Sequence, residues 1–88
     1  MRINLKFFAA LREAVGTGAE ALDLPPDVTT VGAVRALLQA RGGAWSEALA
    51  PERAVRMAFN HQMCGPDTPL LEGAEVAFFP PVDRKSVV

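Results

Sequence analysis

Few residues of this sequence could act as a nucleophile, an acid–base group or a metal ligand. Cys64 is the only cysteine and His61 the only histidine among the 88 residues. One thiol cannot form an internal disulfide or supply the ligands of a zinc or iron–sulfur site. Because no cationic residue or histidine is predicted to be fixed beside Cys64, we expect a structural thiol. His61 falls in a predicted turn, where we expect an exposed side chain.

Two glycine-containing segments could be mistaken for phosphate-binding loops. Gly16-Thr17-Gly18 is too short for such a loop and lacks the lysine that would follow it. We interpret it as the turn after a helix, and Gly42-Gly43 as the C-terminal end of another helix. The sequence therefore predicts no autonomous active site, no bound cofactor and no metal site.

An exposed apolar surface is the more informative feature. Alternation along the first and last predicted strands directs Phe8 and Phe79 away from the core. The inward positions are already filled by Ile3, Leu5, Phe7, Val76 and Phe78. Met63 would extend the patch, and Arg12 at its rim would orient a partner. The alternative is a register shifted by one residue, which would place both rings in the core.

These residues are positioned by strands and helices that follow one another along the chain. We predict strands over 2–8, 19–24, 55–60, 62–64 and 74–79, helices over 9–15 and 31–41, and a helical turn over 45–49. Thr29 or Thr30 is expected to cap the main helix. One amphipathic helix on one face of a mixed sheet predicts a two-layer α+β domain over residues 1–81, followed by a flexible tail over 82–88.

Composition and charge exclude several functional classes. The chain is half hydrophobic and has a formal net charge of −1, whereas a nucleic-acid binder would normally show a basic face. No apolar run approaches the roughly 20 residues that span a bilayer, and the first residues alternate rather than form a signal peptide. We expect a cytoplasmic protein that binds neither nucleic acid nor membrane.

Two segments resemble those of a known family. Residues 6–16 read KFFAALREAVG, similar to its FFAxxRExxG segment, and residues 67–82 are similar to its PLx(D/E)GDEVAFFPPV segment. Asn60 falls where the family keeps an asparagine before a hairpin. Over residues 1–82 the chain resembles the small subunit of molybdopterin synthase, a branch of the β-grasp (ubiquitin-like) sulfur carriers.

The resemblance implies a fold and a function. In the β-grasp fold the first and last strands are adjacent and parallel at the sheet centre. Such proteins carry sulfur as a C-terminal thiocarboxylate, made after an E1-like enzyme adenylates the terminal carboxylate with ATP. The tail then enters the large synthase subunit, in a heterotetramer, and sulfur passes to cyclic pyranopterin monophosphate. The implied partner-binding residues are Phe8, Arg12, Met63, Phe79, Pro80, Pro81 and Val82.

The tail departs from the family pattern. The family ends in Thr-Gly-Gly after Pro-Pro-Val, whereas this sequence continues from Val82 through Asp83 to a β-branched Val88. Glycine is suited to that position because a backbone without Cβ can pass through tight channels in both partners. We therefore expect that this chain, as it stands, forms no thiocarboxylate, and we assign no catalytic residue.

Three explanations of the tail stay open. The gene product is altered at its 3′ end, or the chain is a paralogue without sulfur transfer, or its activating enzyme accepts an unusual tail. The functional alternatives are a sulfur carrier and a non-catalytic ubiquitin-like adaptor that binds the large subunit or another partner. A carrier for thiamine or tRNA thiolation is a third, against which the Phe78-Phe79-Pro80-Pro81 run weighs.

Overall fold

The predicted elements are all present in a computed structural model, which describes residues 1–80. They are β1 (Arg2–Phe7), α1 (Ala9–Val15), β2 (Ala19–Asp23), α2 (Val31–Gln39), α3 (Gly43–Ala48), β3 (Arg56–Phe59), β4 (Gln62–Cys64) and β5 (Glu75–Phe79). Each element ends within two residues of its predicted bounds. The predicted tail, and with it Pro81, Val82, Asp83 and Val88, lies outside the described residues.

The five strands form one mixed sheet in the order β2-β1-β5-β3-β4. The central strands β1 and β5 run parallel, with Asn4 opposite Glu75 and Phe7 opposite Phe78. Every other neighbouring pair is antiparallel. The parallel central pair that the family resemblance implies is therefore confirmed, and the fold is a β-grasp.

The core lies between the sheet and the helices. Its fully buried side chains include Ile3, Leu5, Phe7, Val31, Val34, Leu38, Leu49, Val76 and Phe78. Burying each such aliphatic or aromatic side chain contributes about 1.5–3 kcal/mol. Trp45 and Leu49 close one end of this core as predicted: Leu49 is buried, and the Trp45 ring meets Phe7 edge-on at 5.3 Å between centroids.

The start of α2 is fixed by its cap and by a neighbouring loop. Thr30, not Thr29, is the cap, since its hydroxyl accepts the Ala33 N–H at 3.2 Å. The first two residues of the helix donate their N–H groups to carbonyls in the loop between β4 and β5. Val31 donates to Thr68 at 3.0 Å, and Gly32 donates to Pro66 at 2.8 Å. These bonds satisfy donors that a helix N-terminus leaves without intrahelical partners.

The prediction that Gly42-Gly43 ends α2 is wrong. The helix ends at Gln39 with Ala40 as its C-cap, and Gly42, with φ of +76°, precedes α3. A backbone with positive φ suits glycine, so its role is to turn the chain into the next helix. None of the helices in the described residues is long and apolar enough to cross a membrane.

Candidate partner-binding face

The side of the sheet away from the helices, here called the open face, carries the two predicted phenylalanines. Phe8 and Phe79 lie side by side at the end of the central strands, with ring centroids 4.7 Å apart. Phe8 is 44% exposed, Phe79 is half-buried, and their neighbours Phe7 and Phe78 are buried. The Phe8 N–H donates to the Phe78 carbonyl at 3.2 Å, which holds the ring there. The alternative register, with both rings in the core, is excluded.

Two alanines lie between the rings and the edge of the sheet. Ala77 of β5 lies opposite Ala58 of β3, which in turn lies opposite Met63 of β4. Met63 is 58% exposed, whereas both alanines are buried. Together Phe8, Phe79, Ala77, Ala58 and Met63 form what we call the apolar patch. Sequence reasoning did not single out the alanines, although strand alternation places both of them outward.

Cationic side chains border the apolar patch. Arg12 is exposed on α1. Its side chain packs against Gly18, where a Cβ would lie 3.0 Å from the Arg12 Nε, so a larger residue at position 18 would crowd the arginine. Lys6 lies beside Ala77 on the neighbouring strand, and Arg56 lies directly opposite Phe79. An open depression of about 580 Å³ is lined by Lys6, Phe7, Phe8, Arg12, Gly18, Ala19, His61 and Glu75. Lys6 and Arg56 are further residues that sequence reasoning missed.

The turn between β3 and β4 holds the only histidine. Asn60 and His61 both have positive φ, +48° and +73°, as a tight hairpin turn requires. The Asn60 side-chain oxygen accepts the Glu75 N–H at 2.9 Å, which ties the turn to β5. The His61 side chain is 79% exposed, with Nδ1 at 3.7 Å from a Glu75 carboxylate oxygen. The prediction of an exposed turn residue is confirmed.

The remaining candidates for chemistry have structural positions. Cys64 is half-buried against the core, as a structural thiol would be. Gly16 caps α1 with φ of +81°, which confirms the predicted turn after that helix. Among residues 1–80, no group of three or more His, Cys, Asp or Glu side chains could hold a metal ion.

Pro80 directly follows β5 and packs towards the helices. It is half-buried and lines a groove of about 400 Å³ between α1 and α3, whose other walls are Ala10, Leu11, Ala14, Ala44, Glu47, Ala48 and Arg53. Its predicted role in partner binding stays a prediction. The same holds for Pro81 and Val82, which lie outside the described residues.

Two ion pairs hold the acidic residues of β2. Arg2 binds Asp23 at 2.8 Å, and Arg41 binds Glu20 through both carboxylate oxygens. The hydrogen bond from Arg41 holds the pKa of Glu20 below its ordinary value, and the hydrogen bond from Arg2 does the same to the pKa of Asp23. Both carboxylates are therefore already engaged, and neither is an acid–base group poised for catalysis.

Comparison with known proteins places the chain in a family. A model of the ThiS family matches residues 5–83. The molybdopterin synthase sulfur carrier subunits of Escherichia coli and Haemophilus influenzae are 41% and 36% identical over 80 residues, which is 91% of this chain and 95% of each relative. The solution structure of the Haloferax volcanii HVO 2177 protein superposes with a TM-score of 0.80, at 31% identity over 94% of this chain and 85% of that one. The chain therefore belongs to the ThiS family.

Proposed function

We propose that this chain is the small, sulfur-carrying subunit of a molybdopterin synthase and acts in molybdenum cofactor biosynthesis. The observation that carries the proposal is its 41% identity to the Escherichia coli protein of that name, across 95% of that protein's length. The apolar patch supports it, because a carrier has to dock on other proteins to receive and deliver its cargo.

The position of the apolar patch fits a carrier. β5 ends at Phe79 within the patch, so a tail that follows this strand would begin next to the surface that would be docked. Since an extended residue spans about 3.3 Å, five residues would reach about 16 Å into a partner. Phe8, Met63 and Phe79 would then form the apolar contact and Arg12 the charged one.

The partners follow from the same proposal. The large synthase subunit would supply the substrate pocket and the catalytic lysines, in a heterotetramer. An E1-like enzyme would adenylate the carrier's terminal carboxylate with ATP, after which sulfur is installed as a thiocarboxylate. The carrier itself would bind no cofactor and would work in the cytoplasm.

The experiment that tests the proposal compares two chains that differ only at their ends. One has the sequence as it stands, and in the other residues 83–88 are replaced by the Thr-Gly-Gly that the resemblance implies. Each is incubated with the cognate E1-like enzyme, ATP and a sulfur donor, and its intact mass is measured. We expect the mass gain of one oxygen replaced by sulfur in the Thr-Gly-Gly variant only, because β-branched residues replace glycine at the end of the other.

The thiolated variant is then mixed with the large subunit and cyclic pyranopterin monophosphate, and molybdopterin formation is followed. A variant that gains no sulfur and makes no molybdopterin would contradict the carrier function. Sulfur on Val88 of the unaltered chain would contradict only the expectation about the tail.

The second candidate function is a non-catalytic adaptor that binds the large subunit without delivering sulfur. The specific observation in its favour is the run from Asp83 to Val88, which contains no glycine. An adaptor would bind the large subunit with the unaltered tail, and the Thr-Gly-Gly ending would not make it a sulfur donor.

A further inference from the structure

The apolar patch is bordered by cations that form no ion pair with a carboxylate of residues 1–80. Lys6 and Arg56 flank it on two sides through the strand register, and Arg12 lies at the rim of the depression beside Phe8. The ion pairs formed by residues 1–80 are Arg2–Asp23, Arg41–Glu20 and His61–Glu75. None of these pairs contains Lys6, Arg12 or Arg56.

The acidic residues of the open face offset this charge only in part. Asp23 lies on β2, away from the patch, and is held by Arg2. Glu75 faces His61 across the turn and lines the same depression as Lys6 and Arg12, whereas Arg56 lies on the other side of the patch. Within residues 1–80 the border of the patch therefore carries Lys6, Arg12 and Arg56 against the carboxylate of Glu75, and is positive although the whole chain has a formal net charge of −1.

We propose that the protein surface which covers the apolar patch carries carboxylates opposite Lys6 and Arg56, so that this chain selects its partner by charge as well as by shape. The inference rests on the proposed function, in which the open face docks on other proteins. A cation buried beside apolar groups without a counter-charge loses its hydration and gains nothing in return. The argument is strongest for Arg56, because a partner that covers the Phe79 ring also removes water from the neighbouring guanidinium.

The occupant is a protein rather than a nucleic acid. The patch presents Met63 and the two rings above the buried Ala58 and Ala77, and these side chains include no polar group for recognising bases. An apolar centre with a charged rim is the ordinary composition of a protein–protein interface. Complementary rim charges raise the association rate and disfavour wrong partners more than they raise affinity.

The test measures association kinetics with the purified cognate large synthase subunit. The variants are Lys6→Gln, Arg56→Gln and the double substitution, and the matched control is Arg53→Gln, an exposed cation beside the groove between α1 and α3. Rates are compared at about 0.1 M and about 1 M salt, where charges are screened over about 10 Å and about 3 Å. We expect the double variant to associate about three- to tenfold more slowly at the lower salt and like the parent at the higher salt, with no change for the control.

A further variant, Phe79→Asp, separates this inference from the proposed function. If Phe79→Asp abolishes binding while the double variant keeps the parent's rate and salt dependence, the charge inference is wrong and the docking face stands. If Phe79→Asp binds like the parent, the open face is not the docking surface and the charge inference fails with it, whereas the carrier function is decided separately by the sulfur-transfer experiment. A single-stranded oligonucleotide that competes with the large subunit for the open face would also overturn the inference.

Discussion

At the scale of single residues, neighbouring phenylalanines have opposite environments. Phe7 and Phe78 are buried in the core, whereas Phe8 and Phe79 pack against each other on the open face. The side chains are identical, and only the alternation of the strand decides which of them contacts the helices. Substitution at adjacent positions should therefore separate stability from binding.

We expect Phe78→Ala to reduce the free energy of unfolding by about 3–5 kcal/mol, because it leaves a cavity in the core. Phe79→Ala should cost about 1 kcal/mol or less in stability, and Phe79→Asp should weaken binding of the large subunit by about 2 kcal/mol or more, as a lost hot spot would. Urea unfolding and binding measurements on the same variants check both. Equal losses of stability at the two positions would contradict the assigned faces.

At the scale of elements, the first turn of α2 is shaped by the loop that contacts it. A Cβ on Gly32 would lie 2.8 Å from the Pro66 Cβ and 3.0 Å from the Pro66 carbonyl oxygen. The Gly32 N–H donates to that same oxygen, so the helix cannot move away without losing the bond. Close backbone approach, rather than a turn, explains this glycine.

Helix propensity alone would make Gly32→Ala stabilising by about 1 kcal/mol. We expect the opposite sign, since the added methyl group would have to displace the ring and backbone of Pro66. Ala36→Gly, at an exposed position of the same helix, serves as the control and should cost about 1 kcal/mol through propensity. Thermal and urea unfolding of both variants measure these changes in stability. A stabilised Gly32→Ala variant would show that Pro66 moves aside at little energetic cost, contrary to this prediction.

At the scale of the whole molecule, the ion pair of Glu20 and Arg41 joins the edge strand β2 to the segment after α2. The Arg41 guanidinium also lies over the Trp45 ring, 4.5 Å from its centroid, and Trp45 packs against Phe7. One side chain therefore links the sheet, the segment after α2 and α3. We expect its contribution to depend on pH.

The hydrogen bond from Arg41 lowers the pKa of folded Glu20 below the ordinary value of 4.5. A carboxylate with a lowered folded pKa stabilises the native state above its unfolded pKa, and this contribution is lost as pH falls through the folded value. We expect Glu20→Gln to reduce the free energy of unfolding by about 0.5–1 kcal/mol at neutral pH, and to leave it unchanged once the pH lies below the folded pKa of Glu20. Urea unfolding across pH checks this, with the exposed Glu52→Gln as control; a difference that persists in acid would assign the effect to packing.

Much of the fold and part of the candidate site could be predicted from local patterns. Strand alternation placed Phe8 and Phe79 outward, and the helical spacing of apolar residues located α2. Both patterns depend only on backbone geometry over a few residues. The position of Gly42-Gly43 relative to α2 could not be predicted in this way. The helix ends at Gln39, and the N–H groups of Arg41 and Gly42 then bond to carbonyls only three residues back, a change that the residue types do not indicate.

What the chain determined by itself is the direction in which each side chain points from its own strand. Only the tertiary structure decided which side chains meet, because β1 and β5 come from opposite ends of the chain and their register depends on how the whole core packs. That register sets Lys6 beside Ala77, Arg56 opposite Phe79, and Ala58 between Ala77 and Met63. The positive border of the apolar patch is thus a property of the assembled sheet, since alternation is local and pairing across strands is not.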